Sequence, residues 1–167
     1  MSSFVHQRHK SPLDQPGARE LVLACPPMRS NVNLSRIVRT AGCCGVQRMI
    51  VGGKPKIDRK VARDAIDQVQ IDFHRTLPPV LRKLKADGYE LVGLEQTTGS
   101  QCLCDFRFKL RTVMVIGHER LGITEDVLKL LDHVVEIPVY GVPHSHNAAT
   151  AAAMAMYEYC RQHGTGV

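Results

Sequence analysis

Short runs of consecutive apolar residues alternate along this chain with stretches in which apolar residues recur every three or four positions. That alternation predicts strands separated by helices. Residues 20–24 form a first buried strand, stopped by Pro26 and Pro27. Residues 34–44 place Leu34, Ile37, Val38 and Ala41 at helical spacing, with Asn33 or Ser35 placed to cap the start and Gly42 and Gly45 near the end. A short strand at 49–51 leads into Gly52 and Gly53, followed by a short helix at 60–66 and a strand at 69–73. Pro78 opens an amphipathic helix through Val80, Leu81 and Leu84 that stops at Gly88 and feeds a strand at 90–94. The pattern repeats with a strand at 112–116, a helix at 124–131, a strand at 134–137 and a final helix at 148–162.

Apolar strands alternating with helices predict an α/β fold, a mostly parallel sheet with helices on both faces. At 167 residues, with no internal repeat or interdomain linker, the chain reads as one domain over 19–167 behind a basic, polar lead at 1–18. Hydrophobic residues make up 44% of the chain, and no apolar run is long enough to span a bilayer. The lead has no apolar core with a cleavage site, so the expected location is cytoplasmic. The six cysteines are too sparse for a disulfide scaffold, and we read them as reduced thiols.

Charge narrows the choice of partner. Twenty-two basic and 16 acidic side chains give a net charge of +6, which favours a polyanion such as nucleic acid. The basic residues are grouped, with Lys54, Lys56, Arg59, Lys60 and Arg63 in one cluster and Arg107, Lys109 and Arg111 in another. Such clusters also serve simply to solvate a surface.

Three loops at predicted strand ends carry the candidate chemistry, because a wound parallel sheet gathers such loops at one edge. In the first, Asn33, Arg36, Arg39 and Thr40 lie at the start of a helix, where the dipole and guanidinium groups suit either a phosphate or plain solvation. In the second, Gly117 and Gly122 bracket Glu119, which either pairs locally or serves the site. His118 and Glu119 do not begin a zinc-protease helix, since Gly122 stands where the second histidine is needed. In the third, Gly141 and Pro143 shape a turn that presents Ser145 and Asn147 before an alanine-rich helix. His144 and His146 lack carboxylate or cysteine partners at ligand spacing, so no metal is expected there. Dinucleotide, P-loop and nucleophile-elbow motifs are all absent.

Three motifs in order, Asn33-Leu34-Ser35-x-x-x-Arg39-Thr40, then Val115-Ile116-Gly117-x-Glu119-x-x-Gly122, then Ile137-Pro138-x-x-Gly141 with Ser145-x-Asn147, resemble the SpoU/TrmH-type RNA ribose 2'-O-methyltransferases of the SPOUT class. The resemblance runs over about residues 21–161. It implies a deep C-terminal trefoil knot, a homodimer, an RNA partner and S-adenosylmethionine as methyl donor. The general avoidance of threaded connections would instead have suggested an ordinary open sheet.

By the same resemblance, the cofactor pocket draws on Leu94, Glu95, Thr97, Gly117, Ile137, Gly141, Ser145, Asn147 and Ala148, and the catalytic or substrate-positioning set is Asn33, Arg39, Glu119, Ser145 and Asn147. Arginine resists deprotonation, so Arg39 is assigned to the adjacent phosphate and the developing alkoxide, with Glu119 fixing Arg39 or the ribose. This chain departs from the pattern in having His146 inside the last motif and Ala149 where relatives commonly carry a hydroxyl. The implied function is methylation of a ribose 2'-hydroxyl in RNA, tRNA ahead of rRNA, with RNA contacts from the domain itself, a partner, or the lead through Arg8 and Lys10. The alternative is a noncatalytic RNA-binding protein that retains the pocket.

Overall fold

A computed structural model describes residues 3–8, 10–13 and 20–164. The predicted boundary between residues 18 and 19 lies outside the described residues. The element order is β1 (Glu20–Cys25), α1 (Asn31–Cys43), β2 (Arg48–Gly52), α2 (Arg59–Ala62), α3 (Ala65–Gln68), β3 (Gln70–His74), α4 (Pro78–Ala86), β4 (Glu90–Leu94), β5 (Gln101–Cys102), β6 (Arg111–Ile116), α5 (Glu125–Leu128), β7 (His133–Glu136) and α6 (Ala148–His163). The seven strands form one sheet in the order β3-β2-β1-β6-β4-β7-β5, and every pairing is parallel.

Period-two alternation sends neighbouring strand residues to opposite faces, and each face has its own core. Leu21, Leu23, Met49, Val51, Val92, Met114 and Ile116 pack under α1 and α6. Val22, Ala24, Ile50, Leu91, Val113 and Val115 pack instead against Leu81 and Leu84 of α4 and Val127 of α5. Helices therefore cover both faces, which is why the strands read as continuous apolar runs. Ala149, Ala152 and Ala155 are buried on α6, and their small side chains seat this helix close to the sheet and to α1.

Four details differ from the sequence expectation, one being that the helix expected at 124–131 is the single turn α5, followed by three-residue turns closed at Leu130 and Leu131. α1 starts earlier than predicted, because Ser30, extended at φ −97° and ψ 112°, is the cap and accepts from the Asn33 amide. Asn33 and Ser35 are instead buried in the first turns, where Ser35 Oγ donates to the Asn31 carbonyl and accepts from the Asp58 amide. The helix expected at 60–66 is two single turns, α2 and α3, separated by Arg63 at φ 58°. β5 was not expected, since two residues show no period; its existence depends on the edge of β7 being there to pair.

Candidate active site

β6, β4 and β7 are neighbours in the sheet, and the loops leaving their C-terminal ends enclose a cleft of ≈ 240 Å³. That is just below the roughly 300–1,000 Å³ common for small-molecule sites. Its walls include Leu94, Glu95 and Gln96 after β4, the 116–120 segment with Gly122 after β6, Glu136 and Ile137 at the end of β7, and Ser145, His146, Ala148 and Ala151 at the start of α6. Leu94, Ile116, Ile137 and the two alanines give it an apolar surface, while Glu95, Ser145 and the loop backbone supply polar groups.

The β6 loop is built tightly. His118 and Gly122 exchange backbone hydrogen bonds of 3.0 and 2.9 Å, closing the turn. His118 Nδ1 accepts from the amides of Arg120 and Leu121, at 3.1 and 3.2 Å, which leaves the ring proton on Nε2. Glu95 reaches over from β4 and latches the loop, accepting from the Ile123 amide at 2.9 Å and from the Gln96 amide at 3.0 Å. Gly122 sits at φ 64°, and a Cβ there would collide with the Glu95 carboxylate.

This turn aims Glu119 at the amino end of α1. Its carboxylate accepts from the amides of Arg29 and Ser30 at 3.1 and 3.0 Å and from Asn33 Nδ2 at 3.3 Å. Partial burial opposes the charge, but hydrogen bonds from its own amide, from Ser30, Arg29 and Asn33 outweigh it and hold the carboxyl below its ordinary value. The same anion, after burial itself, helps push the Cys25 thiol up to about 12. The anion-attracting end of α1 thus already holds a carboxylate from within the chain.

Asn33 passes the connection on. Its Oδ1 accepts from Asn147 Nδ2 at 3.2 Å, and Asn147 Oδ1 in turn caps α6 by accepting from the amides of Ala149 and Thr150 at 2.9 and 3.2 Å. Glu119, Asn33 and Asn147 form one directed chain of hydrogen bonds, from the β6 loop through the start of α1 to the start of α6. Three segments far apart in sequence are locked together beside the cleft.

The remaining candidates fall in two groups. Leu94, Glu95, Gly117, Glu119, Ile137, Ser145 and Ala148 line the cleft. Thr97, Gly141, Asn33 and Asn147 do not line it: Thr97 closes the next turn by accepting from Ser100 Oγ at 2.8 Å, and Gly141 lies in an exposed bend. Arg39 is exposed farther along α1, and Glu119 binds Asn33 and backbone amides rather than that arginine. Among the described residues, no ion pair or side-chain hydrogen bond holds Arg39. Sequence reasoning passed over His118, Arg120, Glu136, His146 and Ala151 as cleft walls; all but Ala151 directly flank or interleave with residues it had chosen, and the helical step from Ala148 to Ala151 was the available signal.

Comparison with known proteins places this geometry. The sequence model of the SpoU rRNA Methylase family matches residues 20–157. The tRNA (guanosine(18)-2'-O)-methyltransferase of Escherichia coli K12 is 29% identical over 133 residues, covering 78% of this chain and 58% of that protein. The chain therefore spans little more than half the length of that relative. The A. aeolicus TrmH/SpoU tRNA modifying enzyme superposes with a TM-score of 0.82 at 26% identity, over 87% of this chain and 76% of that one. The SpoU methyltransferase AviRb from Streptomyces viridochromogenes, in complex with the cofactor AdoMet, superposes with a TM-score of 0.75 at 27% identity, over 91% of this chain and 61% of that one. With the match running from β1 well into α6, and the cleft and its hydrogen-bond chain inside it, this chain belongs to the SpoU rRNA Methylase family.

Proposed function

We propose that this chain is the catalytic domain, residues 19–167, of a methyltransferase that uses S-adenosylmethionine to methylate a ribose 2'-hydroxyl in RNA, with tRNA ahead of rRNA. The carrying observation is the Glu119–Asn33–Asn147 chain, which joins all three family motifs at the side of one cleft. The relatives named for tRNA and the cofactor bound in AviRb point the same way. The noncatalytic alternative does not account for such a fully connected set of polar groups.

The cleft suits the cofactor. Leu94, Ile116, Ile137, Ala148 and Ala151 offer an apolar slot for adenine, Glu95 and Ser145 offer polar partners, and Gly117 keeps the floor smooth. Thr97, Gly141 and Asn147 shape the loops around it. When bound, S-adenosylmethionine supplies a methyl group already activated on a sulfonium, so transfer requires in-line alignment more than further activation. No metal is needed to activate such a leaving group.

Arg39, exposed and held by no ion pair among the described residues, grips the RNA phosphate next to the target ribose and stabilises charge growing on the 2'-oxygen. A guanidinium does not readily lose its own proton, so it is a poor acceptor for the proton leaving the 2'-hydroxyl. Glu119 is a positioning residue: it stays ionised, fixes Asn33, and through it orients Asn147 and the mouth of the cleft.

Two architectural expectations belong to this reading. We infer that α6 threads the loop between β4 and β6, forming the trefoil knot. In support, the 106–110 segment is tied to the end of α6: Tyr159 donates to the Leu110 carbonyl, Gln162 bonds both Phe106 and Phe108, and His163 bonds Phe108. We also infer a homodimer in the cytoplasm, formed through α1 and α6, where Val32, Met154 and Tyr157 leave apolar surface exposed. Light scattering at twice 18.6 kDa supports it; a monomer at micromolar concentration counts against it.

The test is methyl transfer from labelled S-adenosylmethionine to bulk tRNA and rRNA. The wild type labels ribose in tRNA, and Arg39→Ala and Asn147→Ala lower the rate at least about tenfold. Cofactor binding without transfer to any RNA overturns the catalytic reading.

A further inference from the structure

Away from the cleft, the turn that follows β5 carries Cys102, Cys104 and Asp105, whose ligand atoms all lie within 4.8 Å of one another. We propose that this turn binds a thiophilic divalent cation, Zn²⁺, through the Cys102 and Cys104 sulfurs and the Asp105 carboxylate. The proposal is independent of the methyltransferase reading.

The turn is anchored by what alternates with the ligands. Leu103 and Phe106 are buried in the core, while Cys104 and Asp105 are exposed and Cys102 half-exposed. The backbone is fixed as well: the Leu103 amide donates to the Glu136 carbonyl at 2.8 Å, and the Cys102 carbonyl accepts from the amides of Asp105 and Phe106 at 3.0 and 3.1 Å. Three donor side chains thus project from a platform that needs no refolding to present them. The two sulfurs are 2.8 Å apart and contact each other. No ion pair engages Asp105 among the described residues.

The geometry is close to that of a zinc site. With Zn–S of about 2.3 Å and tetrahedral angles, two sulfurs sit roughly 3.8 Å apart, so the pair opens by about 1 Å through side-chain rotation at the surface. Three protein ligands leave the fourth position to water. Two thiolates with a carboxylate favour Zn²⁺ over Mg²⁺ or Ca²⁺, which prefer oxygen. The step balances: two S–Zn bonds and one O–Zn bond form, the hydrated ion releases all its waters but one, and the two S–H protons leave to solvent.

The site also bears on the cleft, because Glu136 ties both together. Its backbone pairs the turn, and its side chain lines the cleft and accepts from Ser100 Oγ at 2.8 Å. A bound ion therefore stiffens the far end of the 95–100 loop.

The experiment is titration of the reduced, metal-free protein with Co²⁺ as a spectroscopic stand-in, followed by displacement with Zn²⁺. One equivalent produces a thiolate-to-cobalt charge-transfer band, lost in Cys104→Ser and in the Cys102→Ser/Cys104→Ser double variant. The band is retained in Cys43→Ser, which removes the other exposed thiol. Asp105→Asn weakens binding about tenfold. Absence of the band, or its persistence in the double variant, overturns the proposal. If the variants fold poorly, alkylation of the wild type decides: Zn²⁺ protects Cys102 and Cys104 and leaves Cys43 reactive, whereas equal labelling with and without the ion refutes the site.

Discussion

Replacing Glu119 with glutamine tests the junction on which the proposed active site depends. The carboxylate receives three donors, two backbone amides and the Asn33 side chain, and only oxygen atoms face them. Glutamine puts an amino group on one side, so at least one donor loses its acceptor and meets another donor. A hydrogen bond to a charged group contributes roughly 1.5–3 kcal/mol, and the carboxylate at the α1 terminus adds about 0.3–1 kcal/mol through the helix dipole. Glu119 keeps 15% of its side chain exposed, which discounts these values, and we expect Glu119→Gln to cost about 2–3 kcal/mol at pH 7. For a chain of this size that lowers Tm by roughly 4–12 °C.

The pH dependence is the sharper readout. The folded-state value of Glu119 is depressed below the ordinary 4.5, so its stabilisation is fully present above that pH. It is lost as the pH falls from there through the folded value. Urea denaturation of both proteins from pH 7 down to pH 3 should show their difference shrinking below about pH 4.5. A difference that stays constant over that range, or that is under about 0.5 kcal/mol at pH 7, refutes the account.

Further outcomes follow from the same geometry. Gly122→Ala should cost about 1–3 kcal/mol, from the left-handed backbone and the collision with Glu95, and calorimetry should show S-adenosylmethionine binding weakened at least tenfold; unchanged affinity removes the Glu95 latch from the site. Asn147→Ala should lose about 1 kcal/mol with its helix cap, whereas Asn147→Asp keeps the cap but sets oxygen against Asn33 Oδ1, restoring Tm without restoring methyl transfer. Equal recovery of both quantities separates Asn147 from the Asn33 contact. In the native, metal-free protein at pH 8, alkylation should spare the buried Cys25 thiol, raised to about 12, while modifying Cys43 and Cys104; rapid labelling of Cys25 by mass spectrometry contradicts its burial.

Much of the scaffold was legible because buried parallel strands write themselves as apolar runs. β4 falls at 90–94 as expected, and β1, β2, β3, β6 and β7 lie within a residue or two of the expected positions. α4 was announced by Pro78 and Gly88, one fixing the first turn and the other ending the helix. The start of α1 was misjudged because Ser30, Asn33 and Ser35 are all competent caps, and their local chemistry alone does not choose among them. The choice falls to Ser30 because Glu119, 89 residues away, binds its amide, while Asp58 engages Ser35.

The candidate site divides in the same way. Its residue types were visible: the glycines around Glu119, the asparagines at two helix starts and the alanines of α6 each carry a local reason to be where they are. Those reasons act over three or four residues, and the sequence alone determined the strands, most of the helices, and which loops were rich in polar groups. Only the tertiary structure decided that Glu119, Asn33 and Asn147 share one hydrogen-bond chain, that Arg39 stays outside it, and that β5 exists. Each of these depends on a partner brought near by the strand order, where β6 lies between β1 and β4, and no local pattern encodes which strands become neighbours.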